Sequence, residues 1–257
     1  MVSFVRKAVR SVRRRFSGTI THVETAEPLV ALTFDDGPDP VITPALLKLL
    51  GGHGAKATFF MTGEHAAAYP ELVAAVRDGG HAIGNHSWDH PSFPLISGRE
   101  RRSQIRRCAG VLPGSDRSLF RPPYGHQSTA SRRDALLTGH EVIAWSVCVP
   151  DWEDHDGEWL ADFALQRITP GSVVLMHDGM VDFLGAASPG REATLDAVGR
   201  ILAALHGRYG FITVPELLRR GKAVRTAWWM EPDLEILNSL QRKSGTPRRY
   251  ALPELSR

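Results

Sequence analysis

The chain has 257 residues, 42% of them hydrophobic and 23% charged, with a net charge of +3. That length holds one sizeable core, so one main domain is expected, and an α/β barrel fits it without splitting. Two cysteines, Cys108 and Cys148, exclude a disulfide framework or a Cys-based zinc finger and fit a reducing compartment, and no apolar run approaches the roughly 20 residues of a membrane-spanning helix.

Residues 1–15 carry six basic side chains (Arg6, Lys7, Arg10, Arg13, Arg14, Arg15) and no acid, which leaves 25 basic against 28 acidic residues in the rest. No apolar core of about 7–15 residues follows these charges, so a signal peptide is not expected and the chain reads as cytoplasmic. Val5, Ala8, Val9, Val12 and Phe16 fall at helical spacing among the arginines. That pattern suits peripheral contact of residues 1–16 with an anionic membrane at its inner face, the alternative being a frayed, solvated extension. Nothing resembles a nucleic-acid module, and no nucleic acid is expected as a partner.

From residue 27 onward, apolar strand-like runs alternate with helical segments. Leu29 to Phe34 reads as a strand stopped by Gly37-Pro38, and Ile42 to Leu50 as a helix. Strands follow at Ala57–Met61, His81–Ile83, Leu119–Phe120, Glu141–Trp145, Ser172–Met176 and Phe211–Val214. The intervening helices are expected at Glu64–Asp78, Ser97–Val111, Ser131–Leu137, Glu158–Ile168, Glu192–His206 and Pro215–Arg220. About seven such alternations predict a parallel sheet closed into a distorted, TIM-like (β/α) barrel. The rhythm ends at Gly221, giving three segments: a basic extension over 1–26, the barrel over 27–220, and a C-terminal extension over 221–257 with a docked helix near Leu234–Leu240.

Polar clusters sit where strands end, which in such a barrel is where chemistry converges. Asp35-Asp36 follows the first strand, and like charges forced together call for a cation or a proton-transfer task, although Asp-Asp-Gly-Pro is also good turn chemistry. His86 and His90 lie four residues apart, a spacing that one helical turn would present to a single cation. With Asp36 they make a two-His, one-carboxylate set with positions left open for water and substrate, the pattern of a catalytic centre. Zinc is the first expectation for this divalent site; cobalt, manganese, nickel or iron could use the same ligands.

Five segments in order, Thr33-Phe34-Asp35-Asp36-Gly37-Pro38, His86-Ser87-Trp88-Asp89-His90, Arg121-Pro122-Pro123-Tyr124-Gly125, Asp151-Trp152 and Leu175-Met176-His177, resemble the motifs of polysaccharide deacetylases of the NodB-homology type, carbohydrate esterase family 4. The resemblance covers roughly Glu27 to Leu218. It implies hydrolysis of the acetamide of an N-acetylated amino sugar, with Asp35 as catalytic base and Asp36, His86 and His90 as metal ligands. It further implies His177 as the acid that protonates the leaving amine, Arg121 orienting Asp35, and Asp151 partnering either Arg121 or His177. A backbone N–H near Tyr124 would stabilise the oxyanion, and Leu175 and Trp152 would line the acetyl pocket. The family's fourth motif, Asp-x-x-Asp-Trp, stands here as Cys148-Val149-Pro150-Asp151-Trp152, so its earlier acid is lost. His126 and His155 match no role and read as solvated loop histidines. The N-acetylated acceptor is expected to be an oligosaccharide, a lipid- or nucleotide-linked sugar or a glycosylated metabolite. The rivals are a hydrolase of a non-sugar amide or cyclic imide, and a non-catalytic saccharide-binding barrel.

Overall fold

The computed structural model describes residues 18–112, 118–180, 191–228, 230 and 232. The basic segment 1–16 and the helix expected near Leu234–Leu240 lie outside them. The strands are β1 (Thr19–Glu24), β2 (Leu29–Asp35), β3 (Ala57–Met61), β4 (Ala82–Asn85), β5 (Leu119–Phe120), β6 (Glu141–Val142), β7 (Val147–Cys148), β8 (Val173–His177), β9 (Gly210–Phe211) and β10 (Lys222–Thr226). The helices are α1 (Ile42–Gly52), α2 (Gly63–Ala68), α3 (Pro70–Asp78), α4 (Gly98–Ala109), α5 (Thr129–Leu137), α6 (Gly157–Leu165), α7 (Glu192–Leu205) and α8 (Val214–Leu217).

Parallel strands covered on both faces read as continuous apolar runs, and β2 and β3 are buried at every position. They lie near the middle of a parallel path, β6-β5-β4-β3-β2-β8-β7, with β9 added at the start of β2. The sheet curls into the expected distorted barrel. Its two ends, β6 and β7, are successive parts of one run: β6 pairs with β5 and β7 pairs with β8. The single strand expected over Glu141–Trp145 is therefore broken, because the two halves serve different neighbours. Ile20 of β1 fills the bend, its carbonyl accepting from Ala144 N at 2.8 Å.

Side chains alternate across this sheet with a period of two. Val30, Leu32 and Phe34 of β2, Phe59 and Met61 of β3, and Val174 and Met176 of β8 pack in the outer layer with residues of α1, α6 and α7. Ala31, Phe60 and Val173 belong to a separate inner cluster, and Thr33, Asp35, Leu175 and His177 follow that inward register. Inward positions thus become polar toward the C-terminal ends of the strands.

Two expectations are corrected. Glu64 to Asp78 is not one helix: α2 stops at Tyr69 (φ −129°, ψ 59°) and α3 restarts with Pro70 in its first turn, because proline lacks an N–H and disfavours helical geometry in the residue before it. Antiparallel β1 and β10, pairing from Thr19–Thr226 to Glu24–Lys222, were not signalled by the sequence, since β10 is half-exposed and carries no apolar run. This pairing lies across the bounds drawn at 26 and 221. No helix among the described residues is long and apolar enough to cross a membrane.

The β1 side is held to the barrel at Gly171, whose carbonyl accepts from Val23 N at 3.0 Å and whose N–H donates to Leu29 O at 2.7 Å. Gly171 has φ +84°, and a Cβ there would run into the Val23 carbonyl oxygen. Gly171→Ala is expected to cost about 2–3 kcal/mol of folding stability in denaturant unfolding. Wild-type stability in that variant would show that the backbone here is free to shift.

Candidate metal centre and active site

Adjacent strands β2 and β8 run parallel with Asp35 opposite His177 and Thr33 opposite Leu175. The inward alternation places both chemical groups on one side of the sheet at its C-terminal edge. On the far side of β3, β4 pairs Asn85 with both Met61 and Phe120, which fixes where the next two polar loops leave the barrel.

The first of these loops carries His86 and His90. They meet, but not on a helical turn as their spacing suggested: residues 86–90 form an irregular loop with positive φ at Ser87 (71°) and His90 (58°). Short side chains hold this loop in shape. Asn85 accepts from Ser87 N at 2.9 Å and donates to Ile105 O at 2.8 Å, and Ser87 Oγ accepts from His90 N at 3.1 Å. Gln104 of α4 accepts from Trp88 N and Asp89 N and donates to Asp89 Oδ1. The sequence reading gave no role to Asn85 or Gln104, whose burial only the folded chain shows.

The result is a convergence of three ligand atoms. Asp36 Oδ1 lies 3.4 Å from His86 Nε2 and 3.3 Å from His90 Nε2, and the two Nε2 atoms are 3.1 Å apart. His86 Nδ1 is 2.8 Å from the Arg121 carbonyl, so in the neutral ring the proton sits on Nδ1 and the Nε2 lone pair faces the site. Asp36 Oδ1 is buried without a hydrogen bond of good geometry. Buried acceptors crowded on one point suit a cation, and Asp36, His86 and His90 are the group among the described residues that could hold one. Burial alone would raise the Asp36 carboxyl, but His90, His86 and His177 hold it well below the usual carboxylate range.

Asp35 is buried beside this group, with Oδ2 3.7 Å from His86 Nε2. Its other oxygen accepts from Arg121 Nη1 at 2.7 Å. Arg121 is 0% exposed and also donates to Thr33 Oγ1 at 2.7 Å and to Ala144 O at 3.0 Å, with Phe60 4.1 Å beneath its plane. Asp151, left between two partners by the sequence, goes to the histidine: its Oδ1 is 2.7 Å from His177 Nδ1, and its Oδ2 accepts from His177 N and Thr194 Oγ1. Buried Arg191 adds an ion pair to that oxygen at 3.3 Å, a residue the motifs did not indicate. Burial would lower the His177 imidazole, but Asp151, then Asp36 and Asp35, push it up to about 9.

A further carboxyl, Asp178, was also missed. It accepts from Gly37 N at 3.3 Å and Thr43 Oγ1 at 2.6 Å, tying the Asp35–Pro38 loop to the end of β8. Burial pushes it up to about 7, with Asp36 and Asp39 adding to the rise against those hydrogen bonds. Cys148, in the place of an acid, lies half-buried opposite Leu175, and burial with Asp151 and Asp35 holds its thiol up at about 12. That position is therefore neutral at ordinary pH.

Tyr124 sits in left-handed geometry (φ 58°, ψ 5°), its ring 4.3 Å from His90. Trp152 stands 53% exposed at the rim, edge-on to His177 at 5.5 Å, whereas Leu175 is buried. His126 is not solvated as expected: it is buried, 3.1 Å from Ser92 Oγ, and its ring lies 5.2 Å from Tyr124. His155 packs on Trp159 at 3.7 Å.

The barrel thus gathers a two-histidine, one-carboxylate group that could hold a cation, a second buried carboxylate and an imidazole at its C-terminal mouth. The polysaccharide deacetylase family model matches residues 22–143. A peptidoglycan-N-acetylglucosamine deacetylase of Bacillus cereus is 34% identical over 80% of this chain and 72% of its own length. A chitooligosaccharide deacetylase of Azorhizobium caulinodans is 36% identical over 77% of this chain and 97% of its own. A crystal structure of a peptidoglycan N-acetylglucosamine deacetylase superposes with a TM-score of 0.71 at 31% identity, covering 79% of this chain and 94% of the other. The chain belongs to the polysaccharide deacetylases of the NodB-homology type, carbohydrate esterase family 4.

In an NMR titration of the metal-free protein, His177 is expected to lose its proton near pH 9. Asp151→Asn removes the largest upward influence, so the midpoint should fall by about one unit or more. An unchanged midpoint would show that Asp151 does not set the charge of this imidazole.

Proposed function

We propose that the chain is a metal-dependent N-deacetylase that hydrolyses the acetamide of an N-acetylated amino sugar to the free amine and acetate. The meeting of Asp36 Oδ1, His86 Nε2 and His90 Nε2 beside buried Asp35 carries this reading. Those three residues would hold one divalent cation, with zinc the first choice for two imidazoles and a carboxylate, and cobalt, manganese, nickel or iron able to replace it. Such a cation, when bound, lowers the pKa of water from roughly 15.7 to about 7 and polarises a carbonyl.

The protein's own groups do the rest. Asp35 takes the proton of the attacking water; Oδ1 is committed to Arg121, so Oδ2 is the oxygen free to act. Arg121 fixes that carboxylate in place. The Tyr124 N–H donates to the oxyanion, where charge appears only in the transition state. His177 supplies the proton that the amine needs in order to leave: its Nδ1 is held by Asp151, so Nε2 is the donor, and its raised pKa keeps it charged at neutral pH. Leu175 and Trp152 border the acetyl methyl, and the exposed face of Trp152 suits a sugar ring.

The relatives named above are deacetylases of peptidoglycan N-acetylglucosamine and of chitooligosaccharides, which favours a sugar acceptor over a non-sugar amide or imide. The presence together of Asp35, Asp36, His86, His90 and His177 favours an enzyme over a non-catalytic barrel. Cys108 and Cys148 are both free thiols, which supports action in a reducing compartment on a chitooligosaccharide, a lipid- or nucleotide-linked sugar or a glycosylated metabolite. Acetate release from each of these, after the metal is stripped and single divalent ions restored, tests the acceptor and the ion together.

Asp35→Asn is expected to lower kcat by about a thousandfold or more while metal content stays at the wild-type value. Loss of metal instead would mean that the two aspartates have exchanged roles. His90→Ala should lose both metal and turnover; a full complement of metal in that variant would remove His90 from the ligand set.

A further inference from the structure

We propose that Trp228, in the segment that follows β10, is a positioning residue for the reaction, holding the turn that presents the Tyr124 N–H. The inference rests on that N–H acting as the oxyanion donor. Tyr124 is a non-glycine residue in left-handed geometry, a state that costs about 1–3 kcal/mol and persists only where its surroundings over-determine it. Two bonds fix the turn from within: Gly125 N donates to Pro122 O at 2.9 Å and His126 N to Pro123 O at 3.0 Å. They make residues 122–126 a rigid unit but do not set its tilt against the barrel.

The tilt is set from outside, by Ser92 and His90 on one side and by the C-terminal segment on the other. Trp228 Nε1 donates to Gly125 O at 3.0 Å. Gln127 N donates to Met230 O at 2.9 Å, and Gln127 Nε2 donates to Trp228 O at 3.1 Å and to Thr19 Oγ1 at 2.7 Å. The indole of Trp228 meets Trp145 edge-on at 4.9 Å, and Trp145 in turn lies 5.7 Å from the Arg121 guanidinium. Gly125 permits this approach: a Cβ there would lie 2.6 Å from Trp145 and 3.0 Å from Met230 Sδ, at φ +70°.

A half-buried indole could turn its N–H to solvent, and here it is spent on a carbonyl one residue beyond Tyr124. An oxyanion donor works only within a few tenths of an ångström of the position where charge develops, so a small rotation of the turn acts on the transition state and leaves ground-state binding alone. The sequence rhythm ends before this segment, and the family model's match ends at residue 143.

Trp228→Phe keeps a ring against Trp145 and removes the N–H; Trp228→Ala removes both. With the metal-loaded enzyme and an N-acetylated chitooligosaccharide, both variants should lose kcat by about tenfold to a hundredfold, with KM and metal content unchanged. Only Trp228→Ala should also lower the melting temperature clearly. Wild-type kcat in Trp228→Phe, or a parallel rise in KM, would overturn the proposal and leave Trp228 as packing. If Trp228→Phe does not fold, the benzothiophene isostere of tryptophan, which lacks only the N–H, is expected to show the same loss of kcat, and wild-type turnover there overturns it equally. Asp35→Asn assayed alongside separates the two levels: turnover in that variant breaks the deacetylase mechanism itself, whereas its inactivity beside a fully active Trp228→Phe breaks only this inference.

Discussion

A guanidinium with no access to solvent holds the centre of this protein. Arg121 leaves the end of β5, reaches Asp35 and Thr33 of β2 and the Ala144 carbonyl in the bend between β6 and β7, and rests on Phe60 of β3. Four parts of the barrel are therefore registered against one planar group. Taking such a charge out of water is unfavourable, and breaking a buried pair by removing one partner typically costs about 3–5 kcal/mol because the other charge is left stranded. Fold and chemistry are coupled here, since the carboxylate that satisfies the arginine is also the candidate base. The Arg121 carbonyl meanwhile sets the His86 tautomer, so the same residue orients both the candidate base and a candidate ligand.

The strained backbone is gathered in the same place. Among the described residues, those other than glycine with positive φ are Asp36, Ser87, His90 and Tyr124. Two are proposed ligands, one braces the histidine loop, and one presents the proposed oxyanion donor. Each conformation costs free energy that regular structure avoids, and each is held by neighbours: Asp178 and Thr43 behind the aspartate loop, Asn85 and Gln104 behind the histidines, Trp228 and Gln127 behind Tyr124. The supporting shell is mostly neutral or hydrogen-bonded polar side chains from loops and helices. This explains why a cluster of strained loops can sit rigidly on a barrel whose strands are short.

Electrostatics divides the site into two halves. Asp36, hemmed in by imidazoles, is held far below its ordinary pKa, while His177, hemmed in by carboxylates, is pushed up to about 9. Groups whose environments drive them apart in this way can act as anion and acid at one pH. Cys148, opposite Leu175, stays neutral, and Asp35 is the carboxylate that Arg121 reaches.

The sequence by itself determined the barrel and most strand positions, because buried parallel strands are written as contiguous apolar runs. Asp35, Asp36, His86, His90, Arg121, Asp151 and His177 stood out as candidates because they are polar residues at the ends of those runs, whereas Tyr124, Trp152 and Leu175 were named only through the family resemblance. It could not show that His86 and His90 meet through a loop with left-handed residues, since spacing four fits a helix equally well. Nor could it choose the partner of Asp151, find Asp178, Arg191 or Gln104, or recognise that β1 and β10 pair. Those depend on contacts between residues far apart in the chain, where a single polar side chain or a half-exposed strand carries no local pattern. Only the tertiary structure decided them, because burial, and not sequence neighbourhood, dictates which polar groups must satisfy one another.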